Sequence, residues 1–306
     1  MQQPILLTDS LILANITKSD ILKFHNQNPN CLCILSDGRI VSSGCDCIIN
    51  FHNPINFDLE MTIKEKTNSI LYITQLKNGI FVSCSEDGYI HFYNIYENSY
   101  NLIKVIKPHK KPIYKIIQLT NEELVSCSLD KTIINYDNQF NPYFIILNEF
   151  KDRIQDIIEI RENEICACSS YDGFLFFYDF NSHIIKGRMN KVNITPWNHS
   201  LKMISTYLLY VFGKDQISII NIDKYIIVNK INTLNSDFLS CFTIINDRLI
   251  TGDWNGNLKE WKINRSNVIL KNTMEKAHFT GIMSIDVLHD GRLISASQDK
   301  TIKIWS

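Results

Sequence analysis

The chain has 306 residues with a formal net charge of −1, 45% hydrophobic residues and 21% charged residues. This composition excludes a disordered chain, and the balance of charge excludes binding to nucleic acid or membranes by bulk electrostatics. Residues 1–13 lack the basic start and the apolar run of a signal peptide, and no apolar run is long enough to predict a membrane span. We therefore expect an intracellular protein, cytoplasmic or nuclear, whose nine cysteines are reduced thiols.

A repeat of about 42 residues runs along the chain. Each copy has small residues, then Asp or Asn, then an alternating apolar segment that usually ends in an aromatic residue. In chain order the copies read IVSSGCDCIINFH (40–52), FVSCSEDGYIHFY (81–93), LVSCSLDKTIINY (124–136), CACSSYDGFLFFY (166–178), LYVFGKDQISIIN (209–221), LITGDWNGNLKEW (249–261) and LISASQDKTIKIW (293–305). Their anchor residues, spaced by 41, 43, 42, 43, 40 and 44 residues, are Asp46, Asp87, Asp130, Asp172, Asp215, Asn255 and Asp299. Such regular spacing indicates one repetitive domain over residues 1–306 rather than two domains.

Apolar and polar residues alternate within each copy with a period of two, which predicts β-strands. Seven copies of this length fit seven blades of four strands each, so we expect an all-β, seven-bladed β-propeller. The last copy ends at Trp305 and Ser306, after its third strand. Its outermost strand is therefore expected to come from the N-terminal segment and to close the ring, from one of the apolar stretches 5–7, 11–16 or 21–22.

Three copies carry a histidine 21 residues before the anchor aspartate and a serine four residues before it. These residues, with the aromatic residue that ends two of the copies, are His25, Ser42 and Asp46 in the first copy, His109, Ser126, Asp130 and Tyr136 in the third, and His278, Ser295, Asp299 and Trp305 in the seventh. The pattern resembles the WD-repeat family, and the resemblance implies that each group is a structural hydrogen-bonded set. The sequence departs from the family pattern at Lys66, at Asn255 and throughout the fifth copy.

The resemblance also implies where a partner binds, since WD-repeat propellers use the face around the central channel. Two positions in each blade line that face. The residues just before the anchors are Cys45, Glu86, Leu129, Tyr171, Lys214, Trp254 and Gln298. The residues near the start of the innermost strands are Asn30, Leu71, Tyr114, Gln155, Leu239 and Met283, and Arg153 and Asp237 are expected to form a polar rim. Large apolar members of these sets are typical of interface centres, although some could instead cover one another in the channel.

Catalytic and metal-binding patterns are weak by comparison. The histidines beside aspartates could be general bases, but their repetition at equal spacing favours an architectural role. The pairs Cys31-x-Cys33 and Cys45-x-Cys47 could form a thiolate zinc site, but cysteines at comparable positions in other copies favour core filling. We therefore predict no enzyme, no metal site and no cofactor.

One basic stretch could contact phosphate, although a solvated loop fits the near-neutral chain better. It contains Lys104, Lys107, His109, Lys110 and Lys111. The sequence thus predicts a non-catalytic scaffold or adaptor that binds a protein or peptide, within a multiprotein complex and without nucleic acid or membranes. We expect it to be monomeric by itself. Two other functions stay open, namely a propeller enzyme with a polar site at the channel mouth and a permanent structural subunit of a large assembly.

Overall fold

The structure is a computed structural model, and it describes residues 13, 19–146, 149–169, 173–190, 192, 201–212, 216–232, 239–264 and 267–306. In this part of the chain the strands form seven four-stranded sheets. None of the described residues forms a helix that is long and apolar enough to cross a membrane. The structure therefore has the sheet number and strand number that the repeat predicts.

Each sheet is one blade, and the strands follow one another in the chain. The first strand β1 (Ser19–Leu22) precedes blade 1, which contains β2 (Pro29–Ile34), β3 (Ile40–Gly44), β4 (Ile48–His52) and β5 (Leu59–Lys64). Blade 2 contains β6 (Ile70–Gln75), β7 (Phe81–Ser85), β8 (Ile90–Ile95) and β9 (Tyr100–Ile106). Blade 3 contains β10 (Ile113–Gln118), β11 (Leu124–Ser128), β12 (Ile133–Tyr136) and β13 (Pro142–Ile146).

The remaining blades repeat this order. Blade 4 contains β14 (Ile154–Arg161), β15 (Glu164–Ser169), β16 (Leu175–Asp179) and β17 (Ile184–Met189), and blade 5 contains β18 (Leu201–Met203), β19 (Leu208–Phe212), β20 (Gln216–Asn221) and β21 (Ile226–Asn232). Blade 6 contains β22 (Leu239–Ile245), β23 (Arg248–Asp253), β24 (Leu258–Asn264) and β25 (Asn267–Met274). Blade 7 contains β26 (Ile282–Val287), β27 (Leu293–Ser297) and β28 (Ile302–Trp305).

The position of a strand within its blade decides its burial. Every residue of the second strands β3, β7, β11 and β27 is buried, which explains their small serine, glycine and cysteine residues. The outermost strands β17 and β21 instead alternate between exposed and half-buried residues. This alternation is expected of a strand with one face on the protein and one face in water.

The blades group into two compact units. One unit contains the described residues of Met1–Lys64 and Ser240–Ser306, with blades 1, 6 and 7, and the other contains those of Glu65–Leu239, with blades 2–5. In each unit the apolar core lies between neighbouring blades. Ile40 of blade 1 packs with Ile294 of blade 7, and Val125 of blade 3 packs with Phe176 of blade 4. Each buried side chain of this size contributes about 1.5–3 kcal/mol by leaving water.

The turn between the second and third strands needs one residue with a left-handed backbone. That residue follows the anchor, and its φ angle is 62° at Cys47, 85° at Gly88, 70° at Lys131, 83° at Gly256 and 67° at Lys300. Glycine at two of these turns also permits a close approach, because a Cβ at Gly88 or Gly256 would collide with the carbonyl oxygen of His109 or His278. The loop that carries the next blade's histidine therefore lies directly against the preceding turn.

The N-terminal strand completes the last blade, as the sequence predicts. Strand β1 pairs antiparallel with β28, with Ser19 opposite Trp305 and Leu22 opposite Ile302. The strand that closes blade 7 therefore contains the stretch 21–22. Leu13, from the stretch 11–16, is buried beside Trp305 in the core between blades 6 and 7, and its N–H donates to Glu260 at 3.0 Å. The stretch 5–7 lies outside the described residues.

Candidate interaction surface

The described members of both predicted position classes lie at one edge of their blades, which we call the turn edge. It is formed by the start of the inner strand and by the turn between the second and third strands. In four blades the residue before the anchor donates its backbone N–H to the carbonyl group that directly precedes the inner strand. The bonds are Cys45 to Asn28 at 2.9 Å, Glu86 to Ser69 at 2.9 Å, Leu129 to Pro112 at 2.9 Å and Gln298 to Gly281 at 3.0 Å. This repeated bond holds the turn residue beside the start of the inner strand.

In five blades the second class of positions lies at a β-bulge. The register between the first two strands shifts between Pro29 and Cys31, Ile70 and Tyr72, Ile113 and Lys115, Ile154 and Asp156, and Ile282 and Ser284. The residue skipped at each shift is Asn30, Leu71, Tyr114, Gln155 or Met283. Because a bulge redirects its extra residue, these side chains leave the two-residue alternation that builds the core.

Only part of the predicted surface is accessible. Eight predicted members are half-buried or exposed, namely Cys45, Leu71, Glu86, Tyr114, Leu129, Arg153, Trp254 and Gln298. Four others are buried, namely Asn30, Gln155, Leu239 and Met283, which are 2–8% exposed. These four side chains are therefore not accessible to a partner. Tyr171, Lys214 and Asp237 lie outside the described residues.

Neighbouring turn edges contact each other within each unit. The guanidinium of Arg153 in blade 4 donates to the hydroxyl group of Tyr114 in blade 3 at 3.4 Å. In the other unit, the Trp254 ring lies against Gly281, at 3.1 Å from the place where a Cβ would stand. Phe279, two residues earlier, is 92% exposed and was not predicted as a surface anchor. Its position directly after the set histidine His278 is the signal that could have found it.

The histidine sets assemble inside the blades. The Nδ1 atoms of His25, His109 and His278 lie 3.0 Å from carboxylate oxygens of Asp46, Asp130 and Asp299. Their Nε2 atoms lie 2.9, 2.7 and 2.8 Å from the hydroxyl oxygens of Ser42, Ser126 and Ser295. The Ser126 hydroxyl group also forms a hydrogen bond with the Tyr136 hydroxyl group at 2.7 Å. The Ser295 hydroxyl group accepts a hydrogen bond from Trp305 Nε1 at 2.9 Å. Both nitrogens of each imidazole are therefore occupied by structural partners.

The ionisation of these sets follows from their contacts. Burial alone would raise the pKa of Asp130 and Asp299, but the hydrogen bonds and charges of His109 and His278 hold each pKa well below its ordinary range. For His278, burial lowers the pKa and the bond with Asp299 only partly opposes it. These imidazoles are buried and saturated with bonds, so they stabilise the blades and have no free nitrogen for a substrate.

Blade 2 has a buried acid in place of the missing histidine, a substitution that the repeat pattern does not predict. Lys66 stands at the histidine position, but the adjacent Glu65 turns into the blade and is 6% exposed. Its carboxylate accepts hydrogen bonds from the hydroxyl groups of Ser83 and Tyr93, the latter at 2.8 Å. Burial and the Glu65 charge raise the pKa of Tyr93, which stays a neutral donor. The cluster is therefore another structural set with a carboxylate at its centre.

A buried ion pair joins three blades of the second unit. Asp156 is fully buried at the start of blade 4 and accepts from Lys115 Nζ of blade 3 at 2.7 Å. Its other oxygen accepts the backbone N–H of Leu201 in blade 5 at 2.9 Å. An equivalent bond in the other unit runs from the N–H of Leu32 to the hydroxyl group of Ser284 at 3.2 Å. The third residue of the inner strand is thus a site of attachment between blades.

Blade 1 places His52 where other blades place a tyrosine or tryptophan. The side chain is fully buried, and among the described residues neither ring nitrogen has a hydrogen-bond partner. The ring packs against Phe24 with centroids 4.8 Å apart. Burial lowers the pKa of His52 to about 4, and the nearby charge of His25 adds to the effect. The folded protein therefore holds this imidazole neutral.

Acidification from pH 6.5 towards pH 4 is expected to destabilise the protein through His52. The unfolded chain binds a proton near the ordinary pKa of 6.5, whereas the folded chain resists it down to about 4. The contribution of neutral His52 to the free energy of unfolding is fully present above pH 6.5. It is lost as the pH falls from 6.5 to about 4, by about 3 kcal/mol in total. Urea denaturation between pH 7 and 4.5 should show a smaller loss for His52→Phe than for wild type. The exposed His289 supplies the control His289→Phe, and equal pH slopes for wild type and His52→Phe would disprove the role of His52.

The seven cysteines whose side chains the structure describes are reduced thiols. Cys31, Cys84, Cys127 and Cys241 are buried thiols, whereas Cys33, Cys45 and Cys47 are half-buried. Cys45 and Cys47 belong to the turn of blade 1 and not to the core. In the part of the chain that the structure describes, no group of three or more His, Cys, Asp or Glu residues is arranged to hold a metal ion.

Comparison with known proteins agrees with this architecture. Residues 17–53 and 270–306 each match the profile of the WD40 family, described as WD domain, G-beta repeat. Among solved structures, the WD40 β-propeller domain of Doa1 is similar, with a TM-score of 0.79 and 14% sequence identity over 95% of this chain and 96% of that domain. No curated protein matches the chain with significance.

The fold similarity defines the class of the molecule as a β-propeller, and its seven blades confirm the predicted fold. The two segments that match the family profile contain the histidine sets of blades 1 and 7, centred on His25 and His278. The chain therefore has the fold of a seven-bladed β-propeller, and these two segments are similar to WD40 repeats.

Proposed function

We propose that this protein is a non-catalytic scaffold that binds protein or peptide partners at the turn edges of its blades. WD40 propellers are typically scaffolds of this kind. One observation carries the proposal: a bulge and a fixed backbone bond direct two side chains of a blade to the same edge. Large apolar residues stand there half-buried, including Tyr114, Leu129 and Trp254. Aromatic and apolar side chains in such positions are typical of interface centres.

The histidine sets support a scaffold over an enzyme. Catalysis needs a base or nucleophile that a substrate can reach, whereas the imidazoles of His25, His109 and His278 are at most 6% exposed and bonded at both nitrogens. From the sequence we still expect an intracellular protein that is monomeric by itself and joins a multiprotein complex.

The double variant Tyr114→Ala with Trp254→Ala is expected to lose partners while it stays folded. Truncation of a central aromatic anchor typically costs about 2 kcal/mol or more, which is roughly a 30-fold loss of affinity. The Tyr114 ring also packs partly on the core between blades 3 and 4, so we expect a stability loss of about 1 kcal/mol. Proteins captured from native extract by wild type and by the variant should be compared by mass spectrometry, beside thermal melts.

The matched control replaces two exposed side chains away from the turn edges. Tyr207 lies between β18 and β19 and is 48% exposed, and Ile269 lies on the outermost strand β25 and is 46% exposed. The double variant Tyr207→Ala with Ile269→Ala is expected to capture the wild-type partners. If the Tyr114 and Trp254 variant is well folded and still captures every partner, the binding surface lies on another part of the blades.

A further inference from the structure

Basic side chains from separate parts of the sequence meet at the turn edges of blades 2–4. The turn at Gly88 lies against the carbonyl oxygens of His109 and Lys111. The Lys107 ammonium lies 4.6 Å from the centre of the Tyr89 ring. These contacts bring the turn of blade 2 and the loop that leads into blade 3 together.

The contact continues into blade 4. The N–H of Leu129 donates to Pro112 at 2.9 Å, which joins the turn of blade 3 to the same loop. Lys131 Nζ then donates to the carbonyl oxygen of Lys151 at 2.6 Å, in the loop that leads into blade 4. The three segments 107–111, 129–131 and 151–153 therefore form one surface, which we call the basic surface.

The basic surface carries a local excess of positive charge on a nearly neutral chain. Its exposed cations are Lys107, Lys110, Lys111, Lys131 and Lys151. None of these lysines forms an ion pair with a described residue. Among the acids of these segments, Asp130 is engaged by His109 and Thr132, and Asp152 is half-buried. Glu86 is the exposed acid beside them.

The surface differs from the basic stretch seen in the sequence. Lys104, the first residue of that stretch, turns away and donates to the carbonyl oxygen of Gln139 at 2.7 Å and to the side chain of Asn141 at 2.8 Å. His109 is buried in the set of blade 3. Lys131 and Lys151, which are distant in the sequence, replace them as members of the surface.

We propose that the basic surface binds an acidic peptide segment of a protein partner, with an apolar side chain of the peptide on Leu129 and Tyr114. This proposal deepens the scaffold function and rests on it. Lysines at the rim attract a partner of opposite charge and orient it, while the half-buried Leu129 and Tyr114 supply the apolar centre that a protein interface uses. A nucleic acid strand fits less well, because it needs a series of free stacking aromatic faces, whereas Lys107 covers the Tyr89 ring and leaves Tyr114.

The test measures binding of two labelled peptides by fluorescence anisotropy at low salt. The probe is a 12-residue peptide with six Glu residues around a central Leu-Phe pair, and its matched control has Gln at every Glu position. Wild type is expected to bind the acidic probe with a Kd below 1 mM and at least about tenfold more tightly than the Gln peptide. Affinity should fall as salt screens the charges.

Charge-reversal variants assign the binding to the surface. Lys111→Glu with Lys151→Glu is expected to weaken the acidic probe by about tenfold or more. The control Lys224→Glu with Lys230→Glu changes the net charge by the same amount at exposed residues elsewhere in the unit. Equal weakening by both variants would show that only total charge matters and would overturn the proposal.

Other outcomes overturn the assignment of the partner. If wild type does not bind the acidic probe with a Kd below 1 mM, the acidic peptide is excluded as the ligand. If wild type binds a single-stranded oligonucleotide or phosphatidylserine vesicles more tightly than the acidic probe, the ligand belongs to that other class. Retention of native partners by the Lys111 and Lys151 variant, together with their loss from the Tyr114 and Trp254 variant, would reject the basic surface and keep the scaffold function.

Discussion

Deletion of residues 1–24 is expected to destabilise the protein strongly and not merely to remove a tail. The deletion takes away β1 and leaves the edge of β28 unpaired. It also removes Leu22, which is 7% exposed between blades 7 and 1, and Leu13, which is 4% exposed between blades 6 and 7. Each leucine contributes about 2 kcal/mol by burial, and the buried Glu260 loses the N–H of Leu13. The expected loss is therefore several kcal/mol, a large part of the stability of an ordinary domain.

Thermal and urea denaturation of the truncated chain measure this loss. Point variants on the same strand supply the control, because alternation exposes Ile21 to 51% and buries Leu22. Leu22→Ala is expected to cost about 2–5 kcal/mol, whereas Ile21→Ala should change stability by about 0.5 kcal/mol or less. A truncated chain that melts within a degree or two of wild type would show that β1 does not stabilise blade 7.

Replacement of Asp156 by alanine is expected to be the most destabilising single change in blades 2–5. The substitution leaves the Lys115 ammonium, which is 12% exposed, without its carboxylate. It also leaves the N–H of Leu201 without an acceptor, so blades 3, 4 and 5 lose a shared attachment. Removal of one partner from a buried ion pair typically costs about 3–5 kcal/mol.

Chemical denaturation should be compared with that of Asp223→Ala. Asp223 pairs with Arg161 at the surface and is 56% exposed, so its loss should cost about 1 kcal/mol or less. The double variant Asp156→Leu with Lys115→Met is expected to recover part of the loss, because no unpaired charge then remains, although the Leu201 N–H stays unsatisfied. Equal stability of Asp156→Ala and Asp223→Ala would show that the buried pair does not hold these blades together.

The repeat predicted the blades because a blade is built from strands that are neighbours in the sequence. Asp130 follows His109 by 21 residues and Ser126 by four, and the resemblance of this spacing to WD repeats implied which side chains meet. The two position classes at the turn edge were implied by the same resemblance, because a bulge and a turn lie at fixed offsets from the anchor. Glu65 was missed because it lies one residue before the histidine position and reaches the site by the direction of its side chain.

The closing strand illustrates the limit of local patterns. Three N-terminal stretches have similar apolar composition, and nothing in their own residues distinguishes the one that pairs with β28. The partner of Leu22 is Ile302, at the opposite end of the chain, so the choice depends on contacts that no local pattern contains.

The sequence by itself determined the strands and the number of blades, because alternation and repeat spacing are local properties. Only the tertiary structure decided that Gln155 is buried and Tyr114 half-buried, although both occupy the same bulge position. It also brought Lys111 to the same surface as Lys151 and joined Asp156 to Leu201. These outcomes depend on the packing of neighbouring blades, in which side chains some 40 residues apart control each other's access to water and to hydrogen-bond partners.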